Sequence, residues 1–293
     1  MHAWALPLFA LLATGCAPPP APRELDELCG YLFAHFDDEK PREMVAGLEN
    51  LDAWLLAHLE ETLEGYSVTN LSDATVDALD DRAHAAEEML GAAVGSESAY
   101  DPYAIAVAEA AADQTELFPD AHEDYERTYL TDLQCFLDLD CEFLETRNHL
   151  EDDYPVLGQV ISESYGQYRW VEIEKGLAMV QRTWLLEPSE VEWDSFELND
   201  QYYLNVLLPR GQGTLALQSM WVDARLSDES VSEGLALSLL ISQMQGIYEQ
   251  VDEYLDANGA AEQPGGCATA PGRRSGALLL ALLAGLALSR RRP

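Results

Sequence analysis

The side chains of this chain with the widest chemical reach are its cysteines, its histidines and its closely spaced carboxylates. Cys29, Cys135 and Cys141 lie in the body of the sequence, and Cys135 and Cys141 bracket Phe-Leu-Asp-Leu-Asp. That spacing closes a small loop if the backbone bends, so a Cys135–Cys141 disulfide is the expected pairing. Cys29 is then free or paired between chains; the alternative is a bridge from Cys29 to one of the other two. Metal binding is the weaker reading, because there is no Cys-x-x-Cys and no histidine at ligand spacing nearby. The run Asp138-Leu139-Asp140-Cys141-Glu142 places carboxylates at every second position, as a calcium loop does. It lacks the glycine of such a loop, and position twelve counted from Asp138 is His149 rather than a glutamate. Alternation on an exposed strand or loop explains the run better. No histidine makes a His-x-x-x-His pair, no Gly-x-Ser-x-Gly or P-loop occurs, and Gly211-Gln212-Gly213 reads as a turn. The sequence therefore assigns no catalytic residue, no metal ligand and no cofactor. A site assembled from distant residues would leave no local motif, so enzymatic activity stays open while a non-enzymatic role is favoured.

Aromatic residues are the remaining feature. Tyr168 and Trp170 share one face of a strand, Arg182 and Trp184 share a face of another, and Trp193, Tyr202 and Trp221 follow. Arg182, Trp184, Trp170 and Trp221 are candidate pocket residues for an apolar or carbohydrate ligand, with Arg169 or Arg182 meeting an anionic group. The competing reading is an ordinary core, since aromatics suit strands and dominate burial. Arg182 shares its face with Val180 and Trp184, and a charge on an apolar face must find a partner. In so acidic a chain a structural salt bridge is the readiest one.

The elements that must position these residues divide into two kinds. Leu28, Leu32 and Phe36 suggest a short first helix, and Leu48, Leu51, Leu55, Leu59 and Leu63 form one stripe of a second that starts after Pro41 and stops at Gly65. Ser72 is expected to cap a helix carrying Val76, Leu79, Ala83, Ala86 and Leu90 and ending near Gly91 to Gly95; another is expected from Pro102 to Leu117. After Pro155 the composition turns to Val, Tyr, Trp and Thr, with strands expected near 158–173, 177–186, 190–198, 202–208 and 213–224. A capping box from Ser230 to Glu233 opens a long helix that Asn258-Gly259 stops. The fold class is α+β: a helical N-terminal region, an antiparallel β-meander and a long C-terminal helix. That order resembles helix-grip folds, in which a curved sheet wraps a helix around an apolar cavity.

The two ends carry a different message. An apolar run from Ala3 to Ala13 leads through Thr14-Gly15 to Cys16 and a Pro-rich stretch, the layout of a secretory signal. Ala13-Thr14-Gly15-Cys16 resembles a bacterial lipoprotein lipobox, which implies acylation of Cys16; the departures are Ala13 three places before the cysteine and the absence of Lys or Arg ahead of it. An ordinary cleaved signal peptide is the alternative. At the other end Gly265-Gly266-Cys267 precedes an apolar run from Gly276 to Leu288 and then Arg290, Arg291 and Arg292. That run spans about 20 Å as a helix against the ~30 Å hydrocarbon core of a bilayer. The pattern resembles the myxobacterial-type C-terminal sorting signal (MYXO-CTERM), with Gly266 and Cys267 at the processing point; the resemblance implies transient anchoring, cleavage near Cys267 and display at the cell surface. A plain C-terminal membrane anchor is the alternative. The expected division is a signal peptide (1–16), a linker (17–23), a helical region (24–118), an α+β region (119–258), a linker with the sorting cysteine (259–275) and an apolar anchor with its arginine stop (276–293).

Charge limits the partners. The full sequence of 293 residues holds 16 Lys+Arg against 53 Asp+Glu, and every acid lies between Cys16 and Cys267. A general basic surface for nucleic acid is thereby excluded, and an anionic membrane surface is disfavoured as a partner of the body. The expected partners are the membrane, through the termini only, and the export and sorting machinery. The expected protein is an acidic cell-envelope protein, at the outer membrane or cell surface, with a binding or structural role; a small-molecule or lipid binder with a helix-grip cavity and a metal-dependent envelope enzyme are the alternatives.

Overall fold

The computed structural model describes residues 20–79, 89–119, 122–154, 158–192, 196–226 and 233–264. Cys16, the tail expected to act in sorting (Gly266, Cys267 and Arg290 to Arg292), Trp193 and the Ser230 end of the expected capping box lie outside the described residues. The described residues up to Ala261 form one compact unit. Its centre is an antiparallel sheet made of β1 (Tyr66–Ser67), β2 (Leu90–Ser98), β3 (His122–Tyr129), β4 (Phe143–Tyr154), β5 (Gly158–Ile173), β6 (Gly176–Leu185), β7 (Glu190–Val191), β8 (Phe196–Arg210) and β9 (Gly213–Leu226). The spatial order is β1-β2-β9-β8-β6-β5-β4-β3, with short β7 paired to β5. This is a meander from β3 to β9 whose last strand is joined by β2, so β3 is left at an edge.

One face of the sheet is covered by α1 (Leu25–Ala34) and α2 (Arg42–Glu64). Leu28, Leu32, Phe33, Leu48, Leu51 and Leu55 pack there against Val180, Tyr202, Leu204, Val206 and Trp221. Leu48, Leu51 and Leu55 of the leucine stripe are the buried side of α2, Leu59 is partly buried, and Leu63, past a break in the helix at His58, is exposed; Gly65 ends the helix at φ +96°, a conformation that side chains with a Cβ rarely adopt.

The helix expected up to Gly95 is corrected. Ser72 does cap a helix, accepting a hydrogen bond from Thr75 N, but α3 spans only Asp73–Asp77. Residues 90–98 are instead strand β2, paired along its length with β9. The glycines there are spacers, not stops. A Cβ on Gly95 would lie 2.9 Å from Thr62 of α2, and one on Gly91 would lie 2.6 Å from the Val68 carbonyl and 2.8 Å from the Trp221 ring. Small residues let the helix and the 66–68 segment approach this strand closely.

The opposite face is covered by α4 (Pro102–Glu109), α5 (Leu133–Leu137), α6 (Glu233–Met244) and α7 (Ile247–Asn258). The helix expected as one piece up to Asn258 is two pieces. Gly246 sits at φ +84° and turns the chain, while the Gln245 amide donates to Leu63 O at 3.1 Å at the end of α2. Asp252 of α7 accepts from Ser98 Oγ and, at 3.0 Å, from Ala99 N, fixing α7 to the end of β2. The helix expected to Leu117 also ends early, at Glu109, with Asp101 as its N-cap. Likewise the strand expected over 190–198 resolves into β7 and the start of β8 at Phe196. The overall class is α+β, with an antiparallel sheet holding its C-terminal helix pair against one face.

Candidate functional site: a polar-floored cavity under the C-terminal helices

Where α6 meets α7 the helices stand off from the sheet, and a cavity of about 510 Å³ remains between them. Its wall comes from Ser242, Gln245, Ile247 and Gln250 at the helix junction and from Phe118 and His122 on the far side. Its floor is the sheet. Gln181 and Tyr168 of that floor belong to a polar row of the sheet that continues past the cavity to Asn205, beneath α4 and α7, and on to Gln218. Gln218 of β9 pairs with Asn205 of β8, Asn205 with Gln181 of β6, and Gln181 with Tyr168 of β5. An interior row that would ordinarily be apolar is therefore a ribbon of amides ending in a phenol. One row along, Tyr203 pairs with Thr183 and Thr183 with Gly166. A Cβ on Gly166 would lie 2.7 Å from Thr146 Oγ1, so this glycine leaves room where the strands carry their polar side chains.

Glu109, the last residue of α4, projects its carboxyl into this ribbon. It is buried, and its oxygens accept from Asn205 Nδ2 at 3.0 and 3.3 Å. The Tyr248 hydroxyl of α7 donates to Asn205 Oδ1 at 2.6 Å, linking helix, amide and carboxyl. Burial pushes the Glu109 carboxyl up to about 8, against the opposing pull of the Asn205 hydrogen bond and the Arg127 charge, so it is mostly protonated at neutral pH.

Arg127, on β3, stands beside it. Its guanidinium donates to Glu109 O at 2.6 Å, Ala111 O at 3.0 Å, Asn148 Oδ1 at 2.9 Å and the Tyr125 hydroxyl. It therefore caps the C-terminal end of α4, where the helix dipole is negative. The guanidinium lies 5.2 Å from the Tyr125 ring centre and 5.6 Å from that of Tyr168. The Tyr129 hydroxyl donates to Ala110 O at 2.7 Å on the same helix end. Burial holds the Tyr125, Tyr168, Tyr203 and Tyr248 phenols above their ordinary range, so all four are neutral hydrogen-bonding groups. Two of these phenols line the cavity with a proton to spare. Tyr125 accepts from Arg127, Tyr203 accepts from Gln218 Nε2 at 2.9 Å, and no acceptor for either phenol's own proton is found among the described residues. The Gln218 Oε1 atom is buried without a hydrogen-bond partner. At the rim His122 Nδ1 meets Asp152 Oδ1 at 2.6 Å.

The residues singled out from the sequence are distributed more widely. Arg182 lies on the α1–α2 face, donating to Phe33 O at 3.1 Å, to Gln167 Oε1 at 2.8 Å and to Asp37, so it serves the C-terminal end of α1. Arg169 holds the turn that follows α1, donating to Phe36 O, Asp38 O and Glu142. Trp221 is buried on that face at 5.8 Å from Phe33, with its indole N–H donating to Thr69 O. Trp170 is stacked with Phe136 at 5.1 Å and Tyr103 at 6.0 Å, away from the cavity. Trp184 borders the cavity, although its ring packs on Tyr165 at 4.9 Å, and its indole N–H is buried without a partner. Of the four, the structure brings Arg182 to 5.4 Å from the Trp184 ring centre, while Trp221 packs on Phe33 and Trp170 on Phe136. Cys135 and Cys141 form a disulfide across the turn that follows α5, and Cys29 is a buried thiol accepting from Ser219 Oγ at 3.1 Å. Among the described residues no group of three His, Cys, Asp or Glu side chains is placed to hold a metal ion.

The cavity residues missed by sequence reading were carried by β3 and β4. Tyr125 and Arg127, and Asn148 and Leu150, line the cavity, and with Tyr129 and with Leu144 and Thr146 they recur at every second position, which is the period of a strand. The acids interleaved with them face outward and masked the pattern.

No protein-family model matches the chain, and no curated protein matches it. Among solved structures it is similar to a START superfamily protein from Mycobacterium smegmatis, at 10% identity and a TM-score of 0.39 over 57% of this chain and 97% of that one. It is also similar to a fragment of a STAR-related lipid transfer protein from Xanthomonas axonopodis, at 11% identity and a TM-score of 0.41 over 58% and 87%. A third likeness is to the Zhui aromatase/cyclase from Streptomyces, at 11% identity and a TM-score of 0.36 over 58% and 93%. At these scores none of the likenesses bears on what the cavity holds.

Proposed function

We propose that this chain is a cell-envelope binding protein that holds one small organic molecule in the cavity beneath α6 and α7. The observation that carries the reading is a cavity of about 510 Å³ whose lining includes the buried amides of Gln114 and Asn148 and the buried phenols of Tyr125 and Tyr168. That volume lies within the range of small-molecule sites, and buried polar groups destabilise a core unless hydrogen bonds compensate them. A purely structural protein has no use for such a lining, because apolar side chains would fill the same space with less cost. Placement at the envelope is supported by the signal-type sequence ending at Cys16 and the tail from Gly266 to Arg292.

Native mass spectrometry of the full chain recovered from its own envelope tests the binding reading. A retained non-protein mass, lost on organic extraction and regained with a rise in thermal stability on adding the extract, is the expected result. A ligand at 100 times its Kd adds about 2.7 kcal/mol to folding. The cavity-filling substitution Thr183→Trp should abolish retention. If no mass is retained and Thr183→Trp instead raises the melting temperature, the cavity is a packing defect and the reading is wrong.

A further inference from the structure

The basic side chains that reach carboxylates in this protein define a contrast. Arg169 pairs with Glu142, Arg182 with Asp37, Lys175 with Asp52 and Arg210 with Glu97. Arg127 does not: its four hydrogen bonds go to two carbonyls, one amide oxygen and one phenol, and it makes no ion pair among the described residues. The end of α4 offsets about half of its charge through the helix dipole. The rest meets no carboxylate in an ion pair among the described residues, in a chain with more than three acids for every base. Its Nη2 atom donates one hydrogen to Tyr125, and that donation polarises the Tyr125 hydroxyl, whose own proton has no acceptor among the described residues. Both residues line the cavity.

Resting on the reading of the cavity as a small-molecule site, we propose that its ligand is an organic anion, a carboxylate or a comparable acidic oxygen on an apolar or aromatic body, received by Arg127 and the Tyr125 and Tyr203 hydroxyls. The geometry suits this class in three ways. The donors are neutral phenols and a guanidinium, which give protons and accept no charge. Leu150, Val160, Leu185, Leu198 and Met220 lie beside them on the same floor and supply the apolar surface for the body of the ligand. The nearest carboxyl, Glu109, is held neutral at physiological pH, so it does not cancel the positive charge that the anion would meet.

The groups facing Glu109 are Arg127, Tyr125 and Tyr129 on β3, Tyr168 on β5, Tyr203 on β8 and Tyr248 on α7, with His122 and Asp152 farther out at the rim. Glu109 changes charge near pH 8, and its ionisation would set a negative charge beside Arg127. Anion affinity should therefore fall as the pH rises past about 8.

Two fluorescent probes with one ring skeleton separate the possibilities: 8-anilinonaphthalene-1-sulfonate, an anion, and N-phenyl-1-naphthylamine, its uncharged counterpart. Titrations of the full chain run in 0.15 M salt, where charges beyond about 8 Å are screened and the acidic surface weighs little. The sulfonate should bind at least tenfold more tightly at pH 6.5. Tyr125→Phe should weaken the sulfonate about tenfold and leave the amine unchanged; Tyr125 is used because removing Arg127 would uncap α4. Sulfonate affinity should decline above pH 8, and Glu109→Gln should abolish that decline. Equal affinity for the two probes, or a Tyr125→Phe effect on both alike, overturns the assignment of an anion while leaving the cavity a binding site. Binding of neither probe overturns the cavity reading itself.

Discussion

Replacing Glu109 by Gln should make the protein insensitive to one component of its pH dependence, and the size of that component follows from the structure. The carboxyl is buried between Asn205, Tyr248 and the end of α4, and burial raises it from 4.5 to about 8. A raised carboxyl binds its proton more tightly in the folded state than in the unfolded one. Its contribution is therefore fully present below pH 4.5 and is lost as the pH climbs to about 8. Each pH unit in that interval is worth about 1.4 kcal/mol, so the loss is about 3 kcal/mol at pH 7 and about 5 kcal/mol above pH 8, as an upper bound before local relaxation. Gln keeps the shape and the acceptor for Asn205 but cannot ionise. Urea unfolding of both proteins at pH 5, 7 and 9 gives the comparison, and the difference between them cancels every other titrating group. The variant should be close to wild type at pH 5 and more stable by several kcal/mol at pH 9. Two stability curves that run parallel across this interval would refute the burial argument.

Arg182→Ala should destabilise the fold by about 3 kcal/mol, because it leaves Phe33 O and Gln167 without their partner inside the core, whereas Asp37→Asn should cost under about 1 kcal/mol since Asp37 is 62% exposed. Denaturant midpoints distinguish the two, and a mild Arg182→Ala would return that residue to the list of ligand contacts. Gly95→Val should cost about 3 kcal/mol or prevent folding, since its Cβ would meet Thr62 at 2.9 Å, while Gly211→Ala, with nothing within 4 Å, should cost about 1 kcal/mol from its φ of +65° alone. Intact-mass measurement on native envelope material should give a chain beginning at an acylated Cys16 and ending near Cys267; retention of residues 268–293 would replace sorting by a plain anchor.

How much of this was readable beforehand depends on which face each residue serves. Strand β5 falls on 158–173 and β9 begins at 213, as expected, because Val, Tyr and Trp alternate there and glycines mark the turns. The leucine stripe of α2 was equally plain. Strand β2 was hidden because Leu-Gly-Ala-Ala-Val-Gly carries little side-chain pattern; its smallness matters only once α2 lies across it. The break at Gly246 was hidden because Leu239, Ile247 and Val251 continue a helical spacing through it. Arg182 shows both sides of the matter. Its place on an apolar face was legible, and so was its need for a partner, but whether that face met α1 or the cavity depended on strand pairing far along the chain. The polar ribbon of Gln218, Asn205, Gln181 and Tyr168 was invisible for the same reason, since each strand contributes only one member.

Strand β3 ends the sheet on one side, and an open edge is a template on which a second copy can add a strand. Here the same strand that turns Tyr125 and Arg127 inward turns Glu123, Asp124 and Glu126 outward. Two such edges approaching each other would bring like charges face to face, and the mutual repulsion acts before any backbone hydrogen bond can form. The acidity of this strand is a safeguard against fibrous self-assembly, built into the same element that carries Arg127 inward.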